Sequence, residues 1–223
     1  MGILYIVATP IGNLEDISKR TLRILSEVDL ILCEDTRVTQ KLLTRYEIKT
    51  KTMSYHQHTE IKKIEEIISF LKEGKNLALA SDAGTPGISD PGNKLVAKLI
   101  EVGPRSIEIV PIPGPSALTA AASIAGFSMD RFVFLGFPPV KKKRKKFFEE
   151  AVNSRYPVVF YESPYRIIKT LKEIDLLTAR KIVVGRELTK KFETVYRGSA
   201  KDVLAELAKD EIRGEFVVVI GDK

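Results

Sequence analysis

The chain has 223 residues, of which 44% are hydrophobic and 29% charged, with 14 Gly, 11 Pro and a single Cys. That is the composition of an ordinary globular protein, and it excludes a disordered chain, a collagen-like repeat and a disulfide-stapled scaffold. The formal charge is +7, yet Lys-Lys-Lys-Arg-Lys-Lys at 141–146 supplies six of the positive charges, so the basicity is local and favours one contact with a polyanion over a generally adhesive surface.

No apolar run approaches the roughly 20 residues of a membrane-spanning helix. No basic segment opens an export signal, and Ile6 stands where a myristoylation pattern needs Ser or Thr. Cys33 has no partner for an internal disulfide, so a reducing cytoplasm is the expected location and no membrane association is expected.

Ile3 to Ala8 reads as a short buried strand running into the turn Thr9-Pro10-Ile11-Gly12-Asn13. Leu14, Ile17, Leu25 and Val28 then mark one helix face, with Asn13 as its N-cap and Glu15 and Asp16 in the first turn, where carboxylates suit the helix dipole. Leu30 to Cys33 is the next strand, ending at the polar cluster Glu34-Asp35-Thr36-Arg37. Ile61, Ile64, Ile68 and Leu71 mark a second helix face closed by Gly74; Leu77 to Ala80, a helix over Asn93 to Val102, and Ile107 to Val110 follow.

Continuous apolar strands alternating with amphipathic helices predict an α/β fold, with parallel strands covered on both faces and joined by right-handed crossovers. Pro111, Pro113 and Pro115 make a stiff extended stretch that places the boundary between domains 1–112 and 113–223. The second half carries apolar runs at Phe132 to Leu135, Val158 to Tyr161, Ile182 to Val184 and Phe216 to Ile220. An additional strand at Glu193 to Tyr196 would make its sheet mixed.

In such sheets ligands sit beyond the carboxyl ends of the strands. The segment after Ala80, SerAspAlaGlyThrProGlyIleSerAspProGly at 81–92, holds three Gly, two Pro and two Asp, more than a turn requires. Glycines allow a close backbone approach to a ligand and prolines hold the loop's shape before binding. It has no Gly-Lys-Ser/Thr ending, and no Gly-x-Gly-x-x-Gly follows the first strand, which disfavours nucleotide phosphates. With His56 and His58 as the only histidines and one cysteine, no metal site is expected. No Gly-x-Ser-x-Gly elbow is present.

Seven motifs now stand in order along almost the whole chain: ValAlaThrProIleGlyAsnLeu (7–14), CysGluAspThrArg (33–37), SerTyrHisGlnHis (54–58), the loop at 81–92, ProGlyProSerAla (113–117), TyrGluSerProTyrArg (161–166) and ArgGluLeuThrLys (186–190). Together they resemble the tetrapyrrole methylase superfamily, whose members transfer a methyl group from S-adenosylmethionine in a cleft between two α/β domains. Within it they resemble the branch that 2′-O-methylates a cytidine ribose in the decoding region of small-subunit (16S) ribosomal RNA. The resemblance implies a parallel sheet in the first domain, a mixed sheet in the second, and a homodimer.

It also implies a cofactor set. Pro10 and Ile11 would close over S-adenosylmethionine, with Ser81, Asp82, Thr85, Gly87 and Ile88 against it mainly through backbone. Ser116 and Ala117 would receive its carboxylate at a helix start, and Tyr161 and Leu188 would lie near adenine. Methyl transfer to oxygen needs alignment, worth ~7 kcal/mol or more, and removal of a hydroxyl proton. Glu34, Asp35, Arg37, His56, Glu162, Arg186, Glu187 and Lys190 are the candidates. Asp35 or Glu34 is preferred as base and His56 competes, while Arg37 and Arg186 stabilise charge or hold phosphate.

Phosphate contacts would come from Lys141, Lys142, Lys143, Arg144, Lys145 and Lys146. Phe147 and Phe148 behind them are expected in the core rather than stacked on bases. A small-molecule tetrapyrrole methyltransferase and a non-catalytic RNA-binding assembly factor are the alternative functions. The lysine run argues against the first, since a tetrapyrrole needs only a few cations.

Overall fold

The computed structural model describes residues 2–56, 61–90, 92–102, 107–209 and 211–222. Gln57, His58 and Pro91 of the quoted motifs lie outside them. The chain divides into two compact units, 1–116 and 117–223.

In the first unit, β1 (Ile3–Val7), β2 (Leu30–Cys33), β3 (Thr52–Ser54), β4 (Leu77–Ala80) and β5 (Glu108–Ile112) form one sheet in the order β3-β2-β4-β1-β5. Every pairing in it is parallel. Helices cover both faces, as doubly apolar parallel strands require. Leu4, Leu32, Leu77 and Leu79 pack with Ile67 and Leu71 of α3 (Ile61–Lys72) and Leu95 and Leu99 of α4 (Gly92–Val102). On the other face Val7, Ile31, Ala78 and Ala80 pack with Ile24 and Leu25 of α1 (Lys19–Glu27) and Leu42 and Leu43 of α2 (Thr36–Arg45).

Several expectations shift locally. The helix read from Leu14 breaks into a 3-10 turn, Leu14–Asp16, capped by Asn13, and α1, which restarts after Ser18 because that hydroxyl accepts from the Thr21 N–H. The polar cluster 34–37 is the start of α2, with Asp35 as its N-cap. Pro111 lies inside β5 opposite Ile6, and the sheet tolerates it because β5 is an edge strand.

The second unit has β6 (Val133–Phe134), β7 (Val158–Glu162), β8 (Ile182–Arg186), β9 (Thr194–Gly198) and β10 (Phe216–Ile220) in the order β6-β7-β10-β8-β9. β6 and β7 are parallel and the other pairings antiparallel, so the sheet is mixed. One face is covered by α6 (Arg144–Asn153), α7 (Ile167–Asp175) and α8 (Ala200–Leu207) through Phe148, Leu171 and Val203. On the other face α5 (Ala117–Ser123) and Leu188 pack on Val159, Val183, Val217 and Val219. Phe147 and Phe148 stack edge-on with Phe160, in the core as expected.

Candidate active site

In the first unit, the loops leaving the carboxyl ends of four adjacent strands are stitched together. Thr9 and Gly84 exchange both backbone hydrogen bonds, at 2.9 and 3.1 Å, and the Thr9 hydroxyl donates to the Ser81 carbonyl at 3.0 Å. Gly84 has φ 82, and a Cβ there would stand 3.4 Å from Ile11. The Thr85 hydroxyl reaches the Pro115 carbonyl at 3.4 Å, while the Asp35 N–H donates to Asp82 Oδ1 at 3.0 Å. Pro10, Ile11 and Ser81 are buried at this junction, whereas Asp82 and Ile88 are exposed.

Asp90 shapes the rest of the long loop. Its Oδ1 accepts from the N–H groups of Gly87 and Gly92, and Asn93 Nδ2 donates to the Gly87 carbonyl. Gly87, at φ 87, takes a backbone region that L side chains rarely adopt, and a Cβ would strike Asn93.

Beside this loop lies a recess of about 210 Å³ including its open mouth, lined by Glu34, Tyr55, Leu79, Ser81, Pro86 and Asp90 among others. Partial burial holds the Glu34 carboxyl above the usual carboxylate range; the charges of Asp82 and Asp90 add to the effect and His56 offsets it. Burial likewise raises the Tyr55 phenol, eased by a backbone hydrogen bond at Leu95. Asp35 differs. Its carboxylate accepts from the N–H, Nε and Nη2 of Arg37 at 2.8, 3.0 and 2.7 Å, and these bonds bring it down to about 2. Of the two carboxylates preferred as base, Asp35 is occupied as a helix cap and ion-pair partner of Arg37, and Glu34 faces the recess.

In the second unit, Tyr161, Leu188 and Ala117 belong to one apolar cluster. Tyr161 meets Phe134 and Phe137 at ring-centroid distances of 5.0 and 5.4 Å. Gly185 leaves room for Leu188, since a Cβ there would come within 3.0 Å of it. Arg186 is buried, with Nε donating to the Arg213 carbonyl, so its fixed position is explained by the loop it supports. Glu187 and Lys190 pair at 2.8 Å, and Lys190 also reaches Glu215. Thr189, at φ 68, has a buried Oγ1 without a hydrogen-bond partner among the described residues. Ser116 is the last residue of the first unit and Ala117 the first residue of α5 in the second.

The lysine run divides sharply. Lys141, Lys142, Lys143, Lys145 and Lys146 are exposed, but Arg144 is 5% exposed and is corrected from a phosphate ligand to a core residue. Its guanidinium donates to Glu173 at 2.8 Å, the Pro139 carbonyl at 3.1 Å and the Thr170 hydroxyl at 2.6 Å, and lies over the Phe148 ring at 4.9 Å. Glu162, entirely buried, is the opposite pole. It pairs with Arg166 at 2.7 Å and Arg144 at 3.7 Å and accepts from Thr170 at 2.6 Å. Glu162 is therefore a structural anchor. The sequence reading passed over Tyr55 and Asp90, although Tyr55 adjoins His56 in a quoted motif and Asp90 precedes the first turn of α4.

The donor set in the first unit suits a cation. Residues 8–13 and 81–92 contain no Lys or Arg, and Glu34, Asp82 and Asp90 share one field, so a phosphate would be repelled and a sulfonium such as that of S-adenosylmethionine accepted. In the second unit, the Thr189 hydroxyl beside Leu188 is a buried polar group left unsatisfied among the described residues. Among the described residues no cluster of His, Cys, Asp or Glu suits a metal ion, and no helix is long and apolar enough to cross a membrane.

Residues 3–204 match the family model for tetrapyrrole (corrin/porphyrin) methylases. Curated relatives named ribosomal RNA small subunit methyltransferase I include one from Thermotoga maritima, 44% identical over 100% of both chains. Another, from Bacillus subtilis, is 46% identical over 99% of this chain and 75% of its own length. A solved structure of uroporphyrin-III C-methyltransferase from Thermus thermophilus shares the fold, with a TM-score of 0.68, 17% identity and coverage of 99% of this chain and 94% of that one.

Proposed function

Since the chain belongs to the tetrapyrrole methylase family, and to the group in it whose curated members are the ribosomal RNA small subunit methyltransferases I, we propose that it methylates 16S ribosomal RNA in the small subunit, at the 2′-oxygen of a cytidine ribose in the decoding region. S-adenosylmethionine, when bound, supplies the methyl group on a cationic sulfur. The observation that carries the reading is full-length identity of 44% to a protein so named. A carboxylate-rich strand-end site in the first unit and an exposed lysine cluster in the second agree with it.

The residues divide the work. Pro10, Ile11, Ser81, Asp82, Thr85, Gly87 and Ile88 form the cofactor-binding strand ends, Ser116 and Ala117 receive the carboxylate, and Tyr161 and Leu188 supply apolar surface for the adenine. Glu34 takes the proton of the ribose hydroxyl at a carboxylate oxygen. Its raised pKa makes it a stronger base than an ordinary carboxylate, whereas Asp35, at about 2, holds a proton too weakly. His56 adjusts the charge of Glu34, and Arg37 keeps Asp35 in place as cap of α2. Lys141, Lys142, Lys143, Lys145 and Lys146 bind phosphates. The working form is a cytoplasmic homodimer, on the resemblance of the motifs to that family.

The test is transfer of labelled methyl from S-adenosylmethionine to small subunits purified from a strain lacking the modification. The expected product is one 2′-O-methylcytidine in 16S ribosomal RNA, identified by mass spectrometry of nuclease fragments. Unlabelled subunits, together with methylation of a porphyrin or corrinoid precursor, would overturn the reading in favour of a small-molecule enzyme.

A further inference from the structure

Tyr165 is 96% exposed, the most exposed large hydrophobic side chain among the described residues. Its surroundings are far from loose. The preceding Glu162 is buried and accepts from the Ser163 N–H at 2.8 Å and from Arg166 at 2.7 Å. The next residue, Arg166, bonds back to the Ser163 hydroxyl at 3.1 Å and across to the Pro138 carbonyl at 2.9 Å. Arg144, held by the same Glu162, donates to the Pro139 carbonyl. One buried carboxylate thus fixes, through two guanidiniums, both the turn that displays Tyr165 and the segment leading to Lys141. At most roughly 10 Å of chain runs from Pro138 to Lys141, so the turn that displays Tyr165 and the start of the lysine run are braced together by one network in the second unit.

We propose that this is a single-stranded RNA face, in which Lys141, Lys142, Lys143, Lys145 and Lys146 hold phosphates and Tyr165 stacks on an unpaired base. The proposal deepens the ribosomal RNA reading and rests on it. An aromatic ring presented beside a cationic stripe is the arrangement single-stranded nucleic acid requires, because every base has a π-face and every linkage a charge. A cation cluster alone would serve a duplex equally well, and an apolar ring alone would serve a protein partner; their juxtaposition favours a splayed base. Glu162 and Arg144 act as positioning residues, setting the two components in register before the substrate arrives.

The experiment measures steady-state methylation of small subunits lacking the modification, with calorimetry of S-adenosylmethionine and sedimentation as controls. For Tyr165→Ala the expected result is a KM for subunits raised about 5- to 150-fold, with kcat, cofactor affinity and oligomeric state unchanged, and near-normal KM for Tyr165→Phe. Replacing Lys141, Lys142 and Lys143 by Ser should flatten the dependence of log KM on log salt by about two to three units. A Tyr165→Ala KM within twofold of the parent overturns the proposal. So does a change in sedimentation, which would mean that a second copy of the chain covers the ring, and so does an unaltered salt slope. If the parent protein transfers no methyl to subunits while still binding S-adenosylmethionine, the reading beneath the proposal fails instead.

Discussion

The main-chain N–H of Asp35 donates to the carboxylate of Asp82 across 3.0 Å, tying the exit of β2 to the exit of β4. These are neighbouring strands, so the bond sets how far the first turn of α2 stands from the long glycine- and proline-rich loop.

Asp82→Ala should therefore loosen the strand ends, with a stability loss of about 1 kcal/mol and a weaker Kd for S-adenosylmethionine. Asp82→Asn keeps an acceptor oxygen and should retain most of the stability while losing cofactor affinity through the missing charge. Urea titration and calorimetry on the two variants separate the effects; equal cofactor affinity in both variants and the parent would exclude Asp82 from the site.

Glu34 and Asp35 are adjacent, yet their environments push them in opposite directions. Because the folded pKa of Glu34 lies above its unfolded value, its stabilising contribution is complete at low pH and disappears as pH rises through the folded pKa. Glu34→Gln should then resist urea better than the parent at neutral pH while losing kcat about 100-fold, with its acid limb removed from the pH profile. Asp35→Asn should leave that limb in place. A parent-like kcat in Glu34→Gln would eliminate it as the base.

Arg144 stabilises the second unit through a buried carboxylate. Arg144→Ala should cost about 3 to 5 kcal/mol, far more than any neighbouring lysine, and Arg144→Lys should recover only part of that because an ammonium cannot bond Thr170, Pro139 and Glu173 together with one planar fork. Denaturant midpoints for Arg144→Ala and Lys145→Ala give the comparison. Equal midpoints would show the network to be energetically neutral.

Gly185→Ala places a methyl group 3.0 to 3.1 Å from three carbons of Leu188. The leucine must move, so a loss of about 1 to 3 kcal/mol is expected, accompanied by weaker cofactor binding if Leu188 borders the adenine. The double variant with Leu188→Ala should relieve the crowding, and its stability should exceed the sum of the two single changes. Strict additivity would mean that the contact is absent.

Much of this architecture was legible because β2, β4 and β10 are continuous apolar runs whose limits coincide with a change in composition. β3 was not. Thr52–Ser54 is short, half-buried and lies at a sheet edge, so it lacks an apolar signature. α2 was hidden for a different reason: its cap and first turn are polar, and they read as a ligand cluster before they read as a helix. At the strand ends, the motifs mark the loops that carry these side chains, but only tertiary contacts distinguish Glu34, in the recess, from Asp35, engaged by Arg37. Arg144 was misread because four of its partners lie at positions 139, 162, 170 and 173, and no inspection of its lysine neighbours reveals them.

Pro111 has one more effect, on what the first sheet does to other chains. An extended polypeptide approaching the free flank of β5 meets a ring where it needs an amide proton, so sheet growth by edge-to-edge addition stalls there. The same ring in place of a donor, which the fold tolerates at an edge, thereby closes this one flank of the first sheet to a further strand.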